Sequence, residues 1–250
     1  MEIRDMESTD IAMDGTINPV DIHTHILPGI DDGANDEKEA VAMLTALQRQ
    51  KISAVVLTPH YDSATMRLED FLERRAWSYA RLTETLPETV SLPLVLGSET
   101  FLSSSLFNCT DITPLCIAGR YLLVELPYST RFSPLVCQRL MKISYAYGVY
   151  PILAHVERYP DLLQHPKVLE SLVEDGLLTQ INVSSWSAFR MRRCLEKLIK
   201  RGLVHFLGSD CHHLTVRPPE WRNWLHKMEK SLGRDTVQRL FQNAMDILPV

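Results

Sequence analysis

The chain has 250 residues, of which 45% are hydrophobic, and a formal net charge of −5 at pH 7. This composition allows a substantial core and excludes a disordered chain, and the length fits one large domain or two small ones. The acidic balance, without a long basic run, argues against a nucleic-acid partner. Because no apolar stretch approaches the roughly 18 residues that cross a bilayer, we expect no direct membrane insertion.

The N-terminal residues 1–18 form an acidic segment without strong hydrophobic periodicity, and we predict a disordered extension there. It lacks the apolar core of a secretory signal peptide. The five cysteines are scattered and form no C-x-x-C pair, which is typical of reduced thiols. These features predict a cytoplasmic protein. Because no linker or break in composition divides the rest of the chain, we predict a single domain over residues 19–250.

Short apolar segments recur along the chain, and most are dense in valine, isoleucine and leucine, as in parallel strands buried on both faces. They span residues 19–25, 53–60, 92–99, 121–127, 150–158, 178–185 and 203–210. Helical patterns occupy residues 36–50, 133–148, 165–176, 187–202, 218–233 and 234–250. This alternation predicts an α/β fold with a parallel sheet. Seven units favour a closed or nearly closed barrel, with an open doubly wound sheet as the alternative.

Metal-competent side chains end nearly every predicted strand, the exception being the strand near Asn182. They are His23 and His25, His60, Glu99, Glu125, His155, and Asp210 with His212. Because the active sites of parallel α/β barrels lie at the carboxyl ends of the strands, these side chains should meet at one mouth. Each one alone could be a solvated loop residue, but their recurrence at the same place indicates a site. Such ligands suit Zn, Mn or Fe, and more than four of them imply more than one ion.

Two arginines follow members of this set, Arg158 after His155 and Arg217 after Asp210. Metal ions flanked by arginine suit phosphoester hydrolysis, since guanidinium groups clamp phosphate oxygens. For either arginine considered alone, a surface salt bridge is the favoured interpretation. Cys211 and Arg217 also have the C-x5-R spacing of cysteine-dependent tyrosine phosphatases. We interpret that match as accidental, because the intervening loop has no glycine and the carboxylate of Asp210 would raise the pKa of the thiol.

Six segments resemble, in order, the motifs of the PHP (polymerase and histidinol phosphatase) superfamily. They are DIHTHILPGIDDG, TPHY, LGSE, VELP, AHVER and GSDCHHLTVRPP. More narrowly they resemble the bacterial manganese-dependent protein-tyrosine phosphatases of the CpsB/YwqE type, from about Pro19 to the C-terminus. The resemblance implies a distorted (β/α)7 barrel of parallel strands with outer helices. It also implies a site for three Mn²⁺ ions, with Fe or Zn as alternatives.

The same resemblance assigns ligands to each ion when it is carried over residue by residue. The first ion would be bound by His23, His25, Glu99 and Asp210. The second would share Glu99 and add Glu125 and His155. The third would be bound by Asp32, His60 and His212. Arg158 and Arg217 match the phosphate-binding arginines of the family, whereas Tyr61 stands where the family commonly has a second histidine.

The activity implied by the resemblance is hydrolysis of phosphotyrosine on the tail of a bacterial tyrosine kinase involved in capsule or exopolysaccharide synthesis. Because such a tail would be flexible, we expect an open mouth. One alternative is a small-molecule phosphomonoesterase such as histidinol phosphatase. Another is a non-catalytic regulatory barrel, which the complete set of expected ligands disfavours.

Overall fold

Short parallel strands form the centre of the described part of this computed structural model, residues 17–249. They are β1 (Val20–Thr24), β2 (Ala54–Leu57), β3 (His60–Tyr61), β4 (Leu94–Leu96), β5 (Glu99–Phe101), β6 (Tyr121–Glu125), β7 (Tyr150–Leu153), β8 (Leu178–Asn182) and β9 (Phe206–Gly208). The predicted disordered extension, residues 1–18, lies outside the described residues apart from Ile17 and Asn18, so its disorder stays a prediction.

Two of the predicted strands are each interrupted once, which gives nine segments over residues 17–249 instead of seven. The first sheet has the order β1-β2-β4, and the second has the order β3-β5-β6-β7-β8-β9. Across the interruptions, Gly97 N donates to Leu57 O at 2.9 Å and Glu99 N donates to Pro59 O at 3.0 Å. The pairing therefore continues from one sheet into the other, and the seven predicted units follow one another in chain order.

The end of β9 returns to β1 and curls the sheet into a barrel. Asp210 N donates to His23 O at 2.8 Å, and His25 N donates to Cys211 O at 2.9 Å. Gly208 permits this approach, because a Cβ atom there would lie 2.7 Å from the Cβ of His23. The predicted distorted barrel of parallel strands is thus confirmed, and its sequential order differs from that of a doubly wound sheet, which reverses part-way.

Helices surround the barrel on its outer side. In the described residues they are α1 (Glu37–Arg49), α2 (Leu68–Thr85), α3 (Pro134–Tyr147), α4 (Pro160–Gln164), α5 (Pro166–Glu174), α6 (Phe189–Lys200), α7 (Arg222–Leu232) and α8 (Arg234–Asp246). Gly148 ends α3 in the left-handed conformation, with φ of 67°. Among residues 17–249, none of the helices combines the length and the apolar character that a membrane crossing requires.

Helix α2 was not predicted from the sequence, because its buried face is partly polar. The buried residues Phe71, Arg75, Ser78 and Leu82 have helical spacing. Arg75 donates to Gly97 O and to Pro114 O, both at 2.7 Å, and Ser78 donates to Pro28 O at 2.8 Å. These bonds to backbone carbonyls replace apolar packing at two positions, so the hydrophobic stripe of this amphipathic helix is interrupted by Arg75 and Ser78.

Replacing the glycine at the closure, Gly208→Ala, should destabilise the barrel. The new Cβ would lie 2.7 Å from the Cβ of His23 and 2.9 Å from Nε2 of Gln180, so β1 would have to move and the Gln180 side chain would have to shift. Overpacking of this kind costs about 1–3 kcal/mol. Denaturant unfolding followed by circular dichroism measures the loss.

Gly97→Ala is the matched control within the sheet. Its Cβ would meet only side-chain carbons, the nearest at 3.1 Å, so we expect a smaller loss of stability. Equal losses for the two variants would contradict the view that the strands at Gly208 are held unusually close.

Candidate metal centre

All nine side chains predicted to bind metal lie together at the carboxyl ends of the strands. They are His23, His25, Asp32, His60, Glu99, Glu125, His155, Asp210 and His212. Each has a donor atom within 3.6 Å of a donor atom of another member. Most are fully buried, whereas His60 and Glu125 are half-buried and Asp32 is exposed. Residues almost 190 positions apart in the chain therefore meet at one mouth, as the barrel predicts.

The innermost part of the centre contains two imidazoles whose Nε2 atoms face each other. The Nε2 atoms of His23 and His25 are 3.2 Å apart. They lie 3.1 and 3.2 Å from Oε2 of Glu99, and both lie 3.6 Å from Oδ1 of Asp210. Four electron-rich atoms thus converge on one point.

The outer nitrogens of these rings indicate which form the imidazoles adopt. Nδ1 of His23 lies 3.2 Å from Oε1 of Gln180, and Nδ1 of His25 lies 2.8 Å from Oδ2 of Asp31. Both oxygens are acceptors, so Nδ1 carries a proton in either charge state, and Nε2 carries the lone pair once the ring is neutral. Lone pairs directed by such outer hydrogen bonds are the usual arrangement of metal-binding histidines. The donor set therefore fits a cation.

His60 connects this inner part with the outer members. Its Nδ1 lies 3.2 Å from Oε2 of Glu99 and from Oε1 of Glu125, and its Nε2 lies 3.4 Å from Oδ1 of Asp32. In the described residues, donor atoms lie within 4.8 Å of one another in three groups. The groups are His23, His25 and Asp210; His60, Glu99 and Glu125; and His25, Asp32, His60 and His212. His155 adjoins the second group, with Nε2 2.7 Å from Oε1 of Glu99.

The carboxylates control the charge of the imidazoles. Burial alone would lower the pKa of His25 and of His60. Asp31 outweighs burial at His25, and Glu125 and Glu99 outweigh it at His60, so that each pKa rises to about 9. Despite burial, the pKa values of both buried carboxylates lie below their usual range. His23 is the main cause at each, joined by His155 and His25 at Glu99 and by His25 and Arg158 at Asp210. The metal-free site therefore keeps its carboxylates ionised and balances them with protons on the imidazoles.

Backbone strain marks the same residues. His155, Asp210 and Arg217 have φ values of 34°, 53° and 58°, in the left-handed region that side chains other than glycine rarely adopt. Over residues 17–249, Lys51 and Ala118 are the other non-glycine residues with positive φ. Each strained residue costs about 1–3 kcal/mol, and such strain clusters at functional sites. Backbone strain is a criterion independent of side-chain chemistry, and it indicates a functional site at the same mouth of the barrel.

Both predicted arginines contact Asp210. Nη2 of Arg158 lies 2.8 Å from Oδ2 of Asp210, while Nη2 of Arg217 contacts Oδ1. Arg158 also donates to the hydroxyl of the half-exposed Tyr128 at 2.9 Å. The side chains of Arg158 and Arg217 are 29% and 37% exposed, so a ligand at the mouth can reach them.

A family model for capsular polysaccharide synthesis proteins, CpsB/CapC, matches residues 19–249. The chain belongs to the CpsB/CapC family. The family-level resemblance inferred from the sequence motifs is thus confirmed.

Relatives of this CpsB/CapC protein cover nearly its whole length. It is 28% identical over 230 residues to the tyrosine-protein phosphatase YwqE of Bacillus subtilis, which covers 90% of this chain and 89% of YwqE. It is also 28% identical over 233 residues to the tyrosine-protein phosphatase CpsB of Streptococcus pneumoniae, covering 89% of this chain and 94% of CpsB. A crystal structure from work on these two proteins, described there as metal-dependent tyrosine phosphatases, aligns with a TM-score of 0.79 and 27% identity. That alignment covers 92% of this chain and 94% of the other.

The surroundings of Cys211 support the interpretation of its C-x5-R spacing as accidental. The side chain of Cys211 is fully buried, and burial together with the nearby Asp21 raises the pKa of the thiol well above its usual range. Arg217 contacts Asp210 and lies 2.9 Å from Nε2 of His212. In this CpsB/CapC protein the thiol is therefore neither accessible nor activated as a nucleophile.

Sequence reasoning missed the side chains that hold the predicted ligands. Oδ2 of Asp31 accepts hydrogen bonds from Nδ1 of His25 and from the backbone of His60, the latter at 3.0 Å. Gln180 contacts His23, and Asn182 donates to Asp210. A signal was present in both cases. Asp31 adjoins a predicted ligand, and the polar side chains of Gln180 and Asn182 are two positions apart in an apolar strand and hence share a face.

Loading this site with a divalent cation should release protons. His25 and His60, with pKa values of about 9, are protonated at neutral pH in the metal-free protein and must lose those protons to bind metal. We expect release of at least two protons per chain near neutral pH, since the pKa of His23 is raised as well, and an affinity that rises with pH up to about 9. Titration calorimetry with Mn²⁺ in buffers of different ionisation enthalpy counts the protons.

Asp31→Asn is the diagnostic variant for this prediction. It removes the carboxylate that raises the pKa of His25, so fewer protons should be released. Asp111→Asn is the control, because that acid bonds only within its own turn, to Thr113. An Mn²⁺ affinity that does not change from neutral to alkaline pH would refute the charge balance described above.

Proposed function

We propose that this protein is a metal-dependent phosphatase that hydrolyses phosphotyrosine on a protein. The observation that carries the proposal is the convergence of nine histidine, aspartate and glutamate side chains with two arginines at the mouth of the barrel. The tyrosine-protein phosphatase names of YwqE and CpsB support the same conclusion. The strained backbone at His155, Asp210 and Arg217 argues against a non-catalytic barrel, because such strain is typical of functional sites.

The proposed metal is Mn²⁺, at three positions. The donors at the first position are His23, His25, Glu99 and Asp210. Those at the second are Glu99, Glu125 and His155. Those at the third are Asp32, His60 and His212. Carboxylate-rich sets favour Mn or Fe, with Zn as a further alternative. Neighbouring donor groups in the structure share His25 and His60, which supports a cluster of ions.

The proposed chemistry divides between the ions and the arginines. Bound divalent cations would provide a nucleophile near neutral pH by lowering the pKa of water, and would neutralise charge on the phosphoryl oxygens. Arg158 and Arg217 would hold phosphate oxygens through their accessible N–H groups. The leaving group would be a tyrosine phenolate, whose conjugate acid has a pKa of about 10, so its departure needs less help from a general acid than that of an alkoxide.

The shape of the mouth favours a peptide over a small metabolite. A cleft of about 380 Å³ borders His60 and Glu125, and Ile30, Met66 and Phe101 contribute apolar lining where an aromatic ring can pack. A second cleft of about 410 Å³ shares Tyr61 and Met66 with the first and continues to Asn108. Together they offer room for residues that flank a phosphotyrosine in an extended chain.

The proposed partner is the phosphorylated tail of a bacterial tyrosine kinase that acts in capsule or exopolysaccharide synthesis. Membership of a family named for capsular polysaccharide synthesis supports this partner. Hydrolysis of such a tail is compatible with the open clefts beside the site. The cytoplasmic location expected from the sequence stays a prediction.

Metal removal is the experiment that tests the proposed function. Chelation should abolish hydrolysis of p-nitrophenyl phosphate, and added Mn²⁺ should restore it, because the cations provide the nucleophile. The reactivated enzyme should then have a higher kcat/KM on a phosphotyrosine peptide than on histidinol phosphate. Steady-state kinetics on the three substrates measures both results.

Two outcomes would contradict the proposal. Faster turnover of histidinol phosphate would assign the site to a small-molecule phosphatase. Full activity after chelation would exclude the metal mechanism. Cys211→Ser then tests whether the thiol takes part: under the metal mechanism this variant keeps its activity.

Arg158→Ala should lower kcat on p-nitrophenyl phosphate by about 10²–10³-fold, as for the loss of a group that stabilises transition-state charge. We expect bound metal to stay unchanged, since Asp210 keeps its bond from Asn182. Metal analysis and kinetics on the same preparation separate the two effects. Arg131→Ala, at an exposed arginine three residues beyond Tyr128, is the control. Parallel loss of metal and activity would instead assign Arg158 a structural role.

A further inference from the structure

Strand β8 carries none of the predicted metal ligands, yet two of its side chains contact the site. Gln180 and Asn182 are 0% and 1% exposed, although both are polar. Nε2 of Gln180 donates to Oδ1 of Asn182 at 2.9 Å. Buried amides are retained only when their hydrogen bonds are satisfied, so the partners at both ends of this pair indicate its role.

Unambiguous neighbours fix the orientation of each amide. Oε1 of Gln180 accepts from the backbone N–H of His155 at 2.8 Å, so its nitrogen must point the other way, towards Asn182. Nδ2 of Asn182 donates to Oδ2 of Asp210 at 2.7 Å, and an ionised carboxylate only accepts. The bond between the two amides then runs from donor to acceptor, and the whole chain of bonds has one consistent direction.

The two ends of this chain reach two proposed ligands of the same ion. Oε1 of Gln180 also accepts from Nδ1 of His23, which leaves Nε2 of His23 free to face Glu99. At the other end, Oδ2 of Asp210 is occupied by Asn182 and Arg158, which turns Oδ1 towards His23 and His25. The pair therefore selects one tautomer of the His23 imidazole and, together with Arg158 and Arg217, one orientation of the Asp210 carboxylate.

The backbone of β8 is held in place at the same point. Oε1 of the buried Glu157 accepts from the backbone N–H of Asn182 at 2.9 Å and from the hydroxyl of Ser185 at 2.8 Å. Glu157 follows His155 by two residues, in the turn after β7, so this turn anchors the carboxyl end of β8 at Asn182.

We propose that Gln180 and Asn182 form an amide relay that positions His23 and Asp210 for metal binding. The relay rests on the proposed function in so far as that function places a divalent cation between these two residues. Its members are positioning residues, because they contact the ligands and not the substrate. Loss of such outer partners typically lowers metal affinity about 10–100-fold.

The test uses the uncharged variants Asn182→Leu and Gln180→Met, which keep side-chain volume and remove the hydrogen bonds. Competition with a fluorescent chelator measures Mn²⁺ affinity in the full chain, and thermal unfolding is followed without metal. We expect each variant to bind Mn²⁺ about 10–100-fold more weakly. The double variant should fall within about threefold of the weaker single one, because a relay acts as a unit and its losses are not additive.

Asn243→Leu is the matched control. Its side-chain amide donates to His205 O at 3.0 Å, at the end of β9 opposite the site. It should lower the unfolding temperature as an amide deletion does but leave Mn²⁺ affinity unchanged. If Asn182→Leu does not fold, Asn182→Ser, whose hydroxyl is too short to replace the bond to Asp210, takes its place with the same expected loss.

Mn²⁺ affinity within about twofold of the unsubstituted chain for Asn182→Leu would overturn the relay. Losses that multiply in the double variant would also overturn it, since they would indicate two independent contacts. The test of the relay measures Mn²⁺ affinity, so its result is independent of whether the protein hydrolyses phosphotyrosine. A chain that binds Mn²⁺ through the relay but hydrolyses no phosphotyrosine peptide would retain the relay and reject the phosphatase.

Discussion

The charge of two buried carboxylates, Glu99 and Asp210, is the constraint on which the rest of this structure depends. An ionised carboxylate without a partner costs several kcal/mol in the interior, so cations must surround it. In the metal-free protein, protonated imidazoles and the guanidinium groups of Arg158 and Arg217 provide them. The lone pairs of His23 and His25 become available to a divalent ion when those protons leave. The same residues therefore balance one another's charge without a cation and would bind a cation when it is present.

To bring the ligands together, the backbone adopts close contacts and strained conformations that are energetically unfavourable at several positions. β9 approaches β1 so closely that only glycine fits at 208, and both His155 and Asp210 adopt left-handed conformations. The turn after β1 is equally tight, since a Cβ at Gly33 would lie 2.0 Å from the carbonyl oxygen of His25. Such features persist only where surrounding packing and hydrogen bonds outweigh their cost. Here the closed barrel and the helices packed around it provide that support.

The difference between what the sequence predicted and what it missed follows from the range of the interactions. The end of a strand can be recognised from neighbouring residues in the sequence. The ends of the apolar runs therefore located His60, Glu99 and Glu125 without knowledge of the sheet. Contacts between strands depend on register. Gln180 meets His23 across 157 residues, and nothing near either residue in the sequence indicates the pairing. Helix α2 was missed for a related reason, because its buried Arg75 bonds to carbonyls that only the folded chain brings near.

Strand β1 connects the metal centre with the closure of the barrel. Its carboxyl end supplies His23 and His25, while its buried Asp21 accepts from Ser209 N at 2.9 Å and from the indole of Trp221 at 2.8 Å. Ser209 directly precedes Asp210, so the segment that closes the barrel also carries a ligand. A displacement of β1 relative to β9 would therefore have two effects at once. It would move His23 away from Asp210, and it would break the pairing of β1 with β9 that closes the barrel. Cation binding and barrel closure are thus expected to stabilise each other, since a ligand bound only by the closed form favours that form.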